Sequence, residues 1–233
     1  MCGRFTYLYT WKQLHRLMEL VSWPPEELSP RFNVAPTQMA PVIRASAGGL
    51  REGVMLRWGL VPAWAEDLTI GNRLVNARGE TIAEKPAFRQ ALAKRRCLVP
   101  VSGFYEWKTQ AGAKQPFWIG RLDREPFLLA GLWEKWSKAG ETVETFCLIT
   151  TTPNPLMAAI HDRMPVIVAP ADYQAWLDPA NQNAAAIQPL IRPFSDEGFE
   201  ARRVSRRVNS PKLDDPSLLE PDKSDSEEAG LFG

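Results

Sequence analysis

Apolar side chains near the start of the chain recur at the spacing of an α-helix. Between Thr10 and Val21 they fall every three or four positions, with lysine, glutamine, arginine and glutamate between them. This periodicity predicts an amphipathic helix, and Thr10 is a favourable N-terminal cap. His15 lies on the same helix, where we expect a surface position. Prolines at 24, 25 and 30 then predict an extended segment that ends at residues 31–36.

Further along, short apolar and aromatic runs alternate with turn-forming residues, which is the pattern of β-strands. Such runs lie at 40–45, 53–61, 97–101, 103–108, 116–122, 127–136, 144–152, 164–169 and 199–204. The spacing between 97 and 152 predicts an antiparallel meander. Helices are predicted at 154–160, 170–177 and 182–190, and at 80–93, where Pro86 interrupts the pattern. We therefore expect an α+β fold: one β-rich domain whose antiparallel sheets curl into a barrel-like core with peripheral helices.

The charge distribution divides the chain at Ser210. The net charge is only +1, but residues 211–233 hold two lysines against seven acidic side chains, which leaves 26 basic and 20 acidic side chains in residues 1–210. Few large apolar residues follow Ser210, so we predict a domain over 1–210 and a disordered acidic tail over 211–233. The mildly basic body suits a polyanionic ligand.

The composition argues against several other classes of protein. It is 45% apolar and 24% charged, as in ordinary globular domains. No apolar run reaches the roughly 18 residues of a membrane span, so we expect no membrane contact. Cys2, Cys97 and Cys147 lie far apart and only two histidines are present. We therefore expect no metal site, no disulfide framework and no cofactor.

Cys2 follows the initiator methionine directly, and its small side chain is of the kind that methionine aminopeptidases accept. Removal of Met1 would leave an α-amine and a thiol on adjacent carbons. Their ordinary pKa values are roughly 7.7–8.0 and about 8.5, so a useful fraction of either nucleophile is expected near neutral pH. Such a pair traps aldehydes, because the amine forms an imine and the thiol closes a five-membered thiazolidine. The alternative is that Cys2 has no chemical role and is simply a small residue that position two tolerates.

Four short segments combine reactive side chains with turn residues. They are Cys2-Gly3-Arg4, Asn76-Ala77-Arg78-x-Glu80-Thr81, Gly103-Phe104-Tyr105-Glu106-Trp107 and His161-Asp162-Arg163-Met164-Pro165. Together with residues 33–36 and 58–64, they closely resemble the SRAP family (SOS response-associated peptidase), in the same order from Cys2 to about Lys212.

The resemblance implies an abasic site processing protein that recognises its lesion in single-stranded DNA, at a junction with duplex. Cys2 would join the ring-opened sugar in a thiazolidine crosslink that shields the lesion from strand cleavage. Because the sequence shows no membrane span and no basic stretch that leads into an apolar one at the N-terminus, we also expect a cytoplasmic, nucleoid-associated protein, and a monomer. An abasic-site lyase activity and self-cleavage behind Met1 are further activities that the family name and chemistry suggest.

Four residues would carry this chemistry: Cys2, Asn76, Glu106 and His161. Glu106 is the candidate general acid and base, and its aromatic neighbours predict a desolvated carboxyl with a raised pKa. Asn76 can orient the amine or the sugar hydroxyls, and His161 can protonate the sugar oxygen or contact a phosphate. Three of them also have a structural interpretation: Glu106 as a surface glutamate on a strand, Asn76 as a turn residue, and His161 as a histidine that ends a helix.

The resemblance also implies a DNA-binding surface. The expected contacts are Arg4, Arg78 and Arg163 to phosphates, and Trp64, Phe104 and Trp107 to unstacked bases. Asp162-Arg163 is expected to include a structural ion pair, and residues 204–209 to follow the groove or form a basic edge strand. Charge and stacking contacts carry little base information, so we expect little sequence preference and a strong salt dependence. Ala65 departs from family members with a second aromatic there, which weakens one stacking wedge.

Two other functions use some of the same residues. N-terminal-nucleophile amidohydrolases and peptidases also place a cysteine behind Met1, but Arg4-Phe5 departs from the apolar run of the amidotransferases. The other alternative is a module that binds single-stranded DNA without covalent chemistry. Residues 230–233, Gly-Leu-Phe-Gly, suggest a contact with a replication partner such as a sliding clamp.

Overall fold

The computed structural model describes residues 2–46, 48–110 and 112–221. Its strands are β1 (Arg4–Tyr7), β2 (Arg31–Val34), β3 (Met39–Ala45), β4 (Arg51–Trp58), β5 (Asn76–Arg78), β6 (Arg96–Val101), β7 (Gly103–Gln110), β8 (Ala113–Arg121), β9 (Phe127–Lys138), β10 (Glu141–Thr151), β11 (Met164–Pro165) and β12 (Phe199–Arg203). The helices are α1 (Trp11–Met18), α2 (Arg89–Lys94), α3 (Pro155–Ala158), α4 (Tyr173–Leu177) and α5 (Ala184–Ile187). Short 3₁₀ helices lie at Leu68–Arg73, Pro170–Asp172, Gln188–Leu190, Arg206–Asn209 and Pro216–Leu219.

A closed barrel forms the centre of the fold. β10, β4, β3, β6 and β9 pair in that order, and β9 pairs again with β10. Closure removes the exposed sheet edges that would otherwise need protection. β5 and β11 add to β10 outside this circuit. The predicted β-rich fold with a barrel-like core is confirmed.

A second sheet of five strands has the order β12-β8-β7-β1-β2 and is antiparallel throughout. The predicted meander is therefore wrong, because the β7-β8 hairpin belongs to this sheet while β6, β9 and β10 belong to the barrel. The chain changes sheets at Ser102, whose N–H donates to Thr6 O at 2.8 Å. The apolar run continues through that residue, so periodicity alone does not reveal the change.

Most large apolar side chains form one core shared by the barrel and the second sheet. Phe5 packs against Trp58 with ring centroids 5.0 Å apart, and Trp58 stacks on Phe146 at 6.2 Å. Burying side chains of this size contributes roughly 1.5–3 kcal/mol each. Tyr105, Trp118, Val204 and Val208 form a separate cluster on the other face of the five-stranded sheet.

Helix α1 begins at the predicted cap. The Thr10 side chain accepts from Gln13 N at 3.3 Å, and Gln13 Oε1 accepts from Thr10 N at 2.8 Å. It ends at Met18 rather than at Val21, because Glu19 adopts the left-handed conformation (φ 51°) and Val21 N–H donates to Arg51 O. A longer helix would give up this link to β4.

The predicted helix over 80–93 is wrong in its first half. Turns occupy residues 79–84, and only α2 is helical. Pro86 has no N–H to donate and restricts the residue before it, which explains the late start. Within the described part of the chain, none of the helices has the length and apolar character needed to cross a membrane.

The predicted disorder after Ser210 is also wrong as far as Pro221. Asp214 Oδ1 accepts from the N–H groups of Phe32 and Asn33 at 2.5 and 2.9 Å, and its carboxylate pairs with Arg31. Leu218 is fully buried. An acidic side chain of this stretch, Asp214, thus forms ordered hydrogen bonds and an ion pair with β2. The rest of the predicted tail, including residues 230–233, lies outside the described residues.

Candidate active site

The first strand places Cys2 beside β7. Arg4 pairs with Tyr105 and Phe5 with Phe104 in an antiparallel register, so Gly3 comes opposite Glu106 as the register continues. Cys2 is fully buried, and its Sγ donates to Arg4 O at 3.8 Å. The N-terminal cysteine is therefore held against the strand that carries the candidate acid and base.

Asn76 approaches Cys2 from the barrel. It begins β5, which runs parallel to β10 with Asn76 opposite Leu148. Its Nδ2 donates to Cys2 O at 2.8 Å. Its Oδ1 is buried and has no hydrogen-bond partner within the described residues. That oxygen is an available acceptor next to the backbone of Cys2.

Glu106 is almost completely buried, with 1% of its surface exposed. Burial raises the pKa of the Glu106 carboxyl, and the nearby His161 partly offsets that effect. The predicted desolvation of this carboxyl is confirmed. Burial and the Glu106 carboxylate together also raise the pKa of the Cys2 thiol. With Met1 in place, the site therefore disfavours negative charge on sulfur. The expectation of a partly ionised thiol concerns Cys2 after removal of Met1 and stays a prediction.

A cavity of about 370 Å³ opens beside Glu106. It is lined by Glu106, Trp107, Thr109, Lys114, His161 and Asn209. The Trp107 indole N–H donates to Asn209 Oδ1 at 2.7 Å, which fixes the ring in the wall of the cavity. The volume is within the range of small-ligand pockets and would admit a sugar unit.

His161 reaches this cavity from the loop before β11. Its Nδ1 lies 3.0 Å from the Arg163 N–H and 2.9 Å from Asp162 Oδ1. When Nδ1 accepts from Arg163, the neutral ring carries its proton on Nε2. When the ring is protonated, Nδ1–H can donate to Asp162 instead. His161 Nδ1 thus has a backbone donor and a carboxylate acceptor within hydrogen-bond distance.

Arg163 forms an ion pair with Glu80 rather than with Asp162. Its Nη1 and Nη2 lie 2.5 and 2.9 Å from the two Glu80 oxygens, and Nη2 also donates to Thr150 O at 2.7 Å. The bond from Arg163 lowers the pKa of the Glu80 carboxyl. The sequence placed Glu80 and Arg163 in two separate motifs and did not reveal that they pair.

Arg4 and Asn33 fasten the C-terminal segment, residues 204–221, across β1 and β2. Arg4 Nη1 donates to Asn33 Oδ1 at 2.8 Å and to Val208 O at 2.7 Å, and Nη2 donates to Asn209 O at 3.2 Å. Asn33 Nδ2 donates to the same Val208 carbonyl and to two further ones, of Ser210 and Leu213. These bonds hold Asn209, and through it Trp107, at the cavity. A role for Asn209 was not visible in the sequence.

Comparison with known proteins agrees with this geometry. The family model described as SOS response associated peptidase (SRAP) matches residues 1–211. The chain belongs to the SRAP family.

Among its relatives, the abasic site processing protein YoqW of Bacillus subtilis (strain 168) is 42% identical over 94% of this chain and 99% of its own length. The abasic site processing protein HMCES of Gallus gallus is 30% identical over 82% of this chain and 66% of its own length. A crystal structure of a protein from Bacteroides thetaiotaomicron has a TM-score of 0.73 and 32% identity over 82% of this chain and 85% of its own. A crystal structure of a protein from Bordetella bronchiseptica has a TM-score of 0.76 and 26% identity over 88% of this chain and 100% of its own.

The expected DNA contacts of this SRAP protein occupy different environments. Arg78 is exposed, and Trp64 exposes 60% of its surface beside a second cavity. Trp107 is half-buried at the active-site cavity. Phe104 is fully buried in the main core, so its assignment as a stacking surface is wrong. It alternates with Tyr105 along β7 and faces inward.

The basic segment after β12 is not a free edge strand. Val204 N–H donates to Pro116 O at 3.1 Å, residues 206–209 form a 3₁₀ helix, and Arg207 pairs with Asp215 at 3.4 Å. No group of three or more His, Cys, Asp or Glu side chains in the described ranges is arranged to hold a metal ion.

Proposed function

We propose that this protein processes abasic sites in single-stranded DNA by joining Cys2, freed of Met1, to the sugar aldehyde. One observation carries the proposal: Asn76 and Glu106 converge on Cys2, and Glu106 shares a cavity with His161. The names of the relatives, abasic site processing proteins, support the same substrate.

The reaction forms two bonds at one carbon. The Cys2 amine adds to C1′ of the open-chain sugar, and loss of one water gives an imine. The thiol then adds across the C=N bond, with sulfur joining carbon and a proton joining nitrogen, which closes the thiazolidine. The product therefore has the combined mass of protein and DNA less one water. Because the open aldehyde is a minor form, holding both nucleophiles in place is the main source of rate, through effective molarities of up to ~10⁵ M or more.

The surrounding residues supply the proton transfers. A carboxyl with a raised pKa, such as Glu106, can take a proton from the amine and return it to the departing hydroxyl near neutral pH. His161 can protonate the sugar ring oxygen as the aldehyde opens. The buried Oδ1 of Asn76 is placed to accept from the Cys2 amine. Removal of Met1 would add an ammonium group at Cys2, whose positive charge favours ionisation of both the thiol and the carboxyl.

DNA would reach the cavity along the surface that presents Arg78, Trp64 and Trp107. Arg78 is exposed and available to a phosphate, while Trp64 presents most of its ring to solvent. Arg4 and Arg163 remain candidates for phosphate contacts. They would use the guanidinium N–H groups that do not already bond within the protein. The preference for a junction between single and double strands is part of the same proposal.

The decisive experiment is a denaturing gel of the purified protein after incubation with a single-stranded oligonucleotide that contains one abasic site. We expect a covalent band with the wild type and with Cys147→Ala, a buried cysteine away from the site, and none with Cys2→Ala or Cys2→Ser. An oligonucleotide with a tetrahydrofuran analogue, which has no aldehyde, is the matched substrate control. A band of equal intensity with Cys2→Ala, or an adduct that maps to another residue, would overturn the proposal.

Two finer activities follow from the same site. The imine can lose the 3′ phosphate by β-elimination, which would appear as a strand break in the same gel. Self-cleavage behind Met1 would be a maturation step, and mass spectrometry after expression in cells lacking aminopeptidase activity tests it. A glutaminase assay separates the amidohydrolase alternative, and retention of DNA only before denaturation would indicate a module without covalent chemistry.

A further inference from the structure

A further polar cavity, distinct from the active-site cavity and from the one beside Trp64, has a volume of about 350 Å³ and lies on the face of the five-stranded sheet that carries Tyr105 and Trp118. We call it the Trp118 cavity. Its walls include Ser102, Trp118, Arg124, Arg202 and Leu219, and among the described residues Glu125 is the one carboxylate that lines it. None of these side chains belongs to the candidate active site.

The floor of the Trp118 cavity is closely packed. A methyl group at Gly103 would come within 2.3 Å of the Trp118 ring, and one at Gly120 within 2.1 Å, so the indole packs directly on two glycines of the sheet. Its Nε1–H donates to Thr6 Oγ1 at 3.3 Å, and only 2% of the residue is exposed. Ordinary side chains at these two positions would displace the ring.

Two guanidinium groups lie over that ring. Arg202 Cζ is 4.7 Å from the ring centroid and Arg124 Cζ is 5.6 Å from it. Burial and the neighbouring charge of Arg124 lower the pKa of Arg202. Two cations on one aromatic ring repel each other unless anions balance both.

Only one of the two cations has a carboxylate partner. Arg124 Nη1 lies 2.6 Å from Glu200 Oε1. Arg202 makes no ion pair with the residues described, and its Nε is buried without a hydrogen-bond partner there. Leaving a buried donor of a charged group without a partner is unfavourable. The guanidinium of Arg202 therefore brings to the cavity a positive charge that forms no ion pair within the described residues, and this charge suits one more anionic group.

The described part of the chain ends close to the Trp118 cavity. Leu219 lines the cavity, and Pro221 forms an antiparallel bridge with Val204, two residues beyond Arg202. Residues 222–233 follow directly, with Asp222, Asp225, Glu227 and Glu228 against the single Lys223. An extended chain covers about 3.3 Å per residue, so these carboxylates are within reach, and attachment to the same chain supplies a local concentration on the order of millimolar.

We propose that the Trp118 cavity is an anion-binding site whose occupant is the acidic segment 222–233 of the same chain, bound through a carboxylate to Arg202. The inference is independent of the proposed function, since it involves neither Cys2 nor the active-site cavity.

The test uses the full chain labelled with ¹⁵N. The Trp118 indole N–H and the Arg202 Nε–H give NMR signals that report directly on the cavity. A variant with Asp222→Asn, Asp225→Asn, Glu227→Gln and Glu228→Gln removes the negative charge of the segment. The matched control removes the same charge from exposed acidic residues elsewhere, with Glu26→Gln, Glu27→Gln, Glu84→Gln and Glu141→Gln.

We expect the first variant to shift both signals and the control to leave them unchanged, and high salt to reproduce the shift in the wild type. In an Arg202→Gln background, neutralising the segment should no longer move the Trp118 signal. Unchanged Trp118 and Arg202 signals in the neutralised variant would overturn the proposal. So would signals that respond to added inorganic phosphate or single-stranded DNA but not to the segment, since the cavity would then take an external anion.

Discussion

The side-chain amide of Asn76 donates to the backbone carbonyl of Cys2 across 2.8 Å, and so joins the barrel to the first residues of the chain. β1 belongs to one sheet and β5 to the other, and this bond fixes where the N-terminal cysteine lies relative to both. Residues near a chain end are poorly ordered unless other contacts hold them, so this hydrogen bond is important for the position of Cys2.

Replacing Asn76 should therefore impair the reaction more than the fold. In Asn76→Ala we expect loss of one hydrogen bond, or roughly 0.5–1.5 kcal/mol of unfolding free energy. A misplaced nucleophile can slow a reaction by about 100-fold. We accordingly expect the crosslinking rate on abasic DNA to fall by at least about 10-fold. Asn72→Ala, an exposed asparagine that bonds to Arg57, is the control. Equal rates for the two variants would remove Asn76 from the site.

Glu106 should make the stability of the protein depend on pH. Its pKa is raised in the folded state, so the folded protein holds this proton at pH values where the unfolded chain has released it. Stability should thus fall as pH rises from the ordinary carboxyl pKa through the raised one. Each tenfold difference in proton affinity is worth about 1.4 kcal/mol.

Glu106→Gln removes this titration with little change of shape. We expect the variant to lose crosslinking activity, and its stability relative to wild type to rise as pH increases through that window. Urea unfolding at a series of pH values measures the difference, with the exposed Glu84→Gln as control. A constant difference between wild type and Glu106→Gln across the series would contradict the assignment.

Strands were the most predictable part of the fold, because their side chains alternate between a core and a second face. The partners of each strand were not predictable. β10 pairs in parallel with β4 and β5, which lie far earlier in the chain, and Ser102 moves the chain between sheets inside one apolar run. Nothing in local periodicity reports pairings over such separations.

The candidate site follows the same division. Cys2, Asn76, Glu106 and His161 stand in short motifs, and the structure brings the first three together at one place, with His161 in the adjoining cavity. The bonds that shape the wall of the cavity escaped prediction because they end on backbone carbonyls of residues 208–213. A carbonyl is present at every residue, so such bonds leave no signature in the sequence.

Arg78 offers a test of the DNA surface that does not depend on the covalent step. It is exposed, so Arg78→Gln should leave the stability unchanged. On single-stranded DNA each phosphate contact contributes about 0.7 to the slope of log K against log salt concentration. We expect the variant to reduce that slope by about 0.7, measured by fluorescence anisotropy in a Cys2→Ala background. If Arg78→Gln has the same slope as the Cys2→Ala protein, Arg78 does not contact the DNA. Arg16→Gln, an exposed position on α1, is the matched charge control.

A substitution at Arg4 can distinguish a structural role of this residue from a role in DNA binding. Its guanidinium makes three hydrogen bonds, to Asn33 Oδ1 and to the carbonyls of Val208 and Asn209, in a planar arrangement that a lysine ammonium cannot reproduce. Arg4→Lys keeps the positive charge that a phosphate contact needs. We expect it to lower the unfolding free energy by about 1.5–3 kcal/mol. Amide hydrogen exchange at Val208 and Ser210 should become faster, because the C-terminal segment loses its attachment to β1.

The outcome for DNA follows from the same geometry. Once the C-terminal segment is loosened, Asn209 no longer holds Trp107, so the crosslinking rate of Arg4→Lys should fall although its charge is unchanged. Arg16→Lys, an exposed position on α1, should match wild type in all three measurements. If Arg4 acted only on a phosphate, Arg4→Lys would keep the stability, the slow exchange and most of the DNA affinity. That result would return Arg4 to the DNA-binding surface.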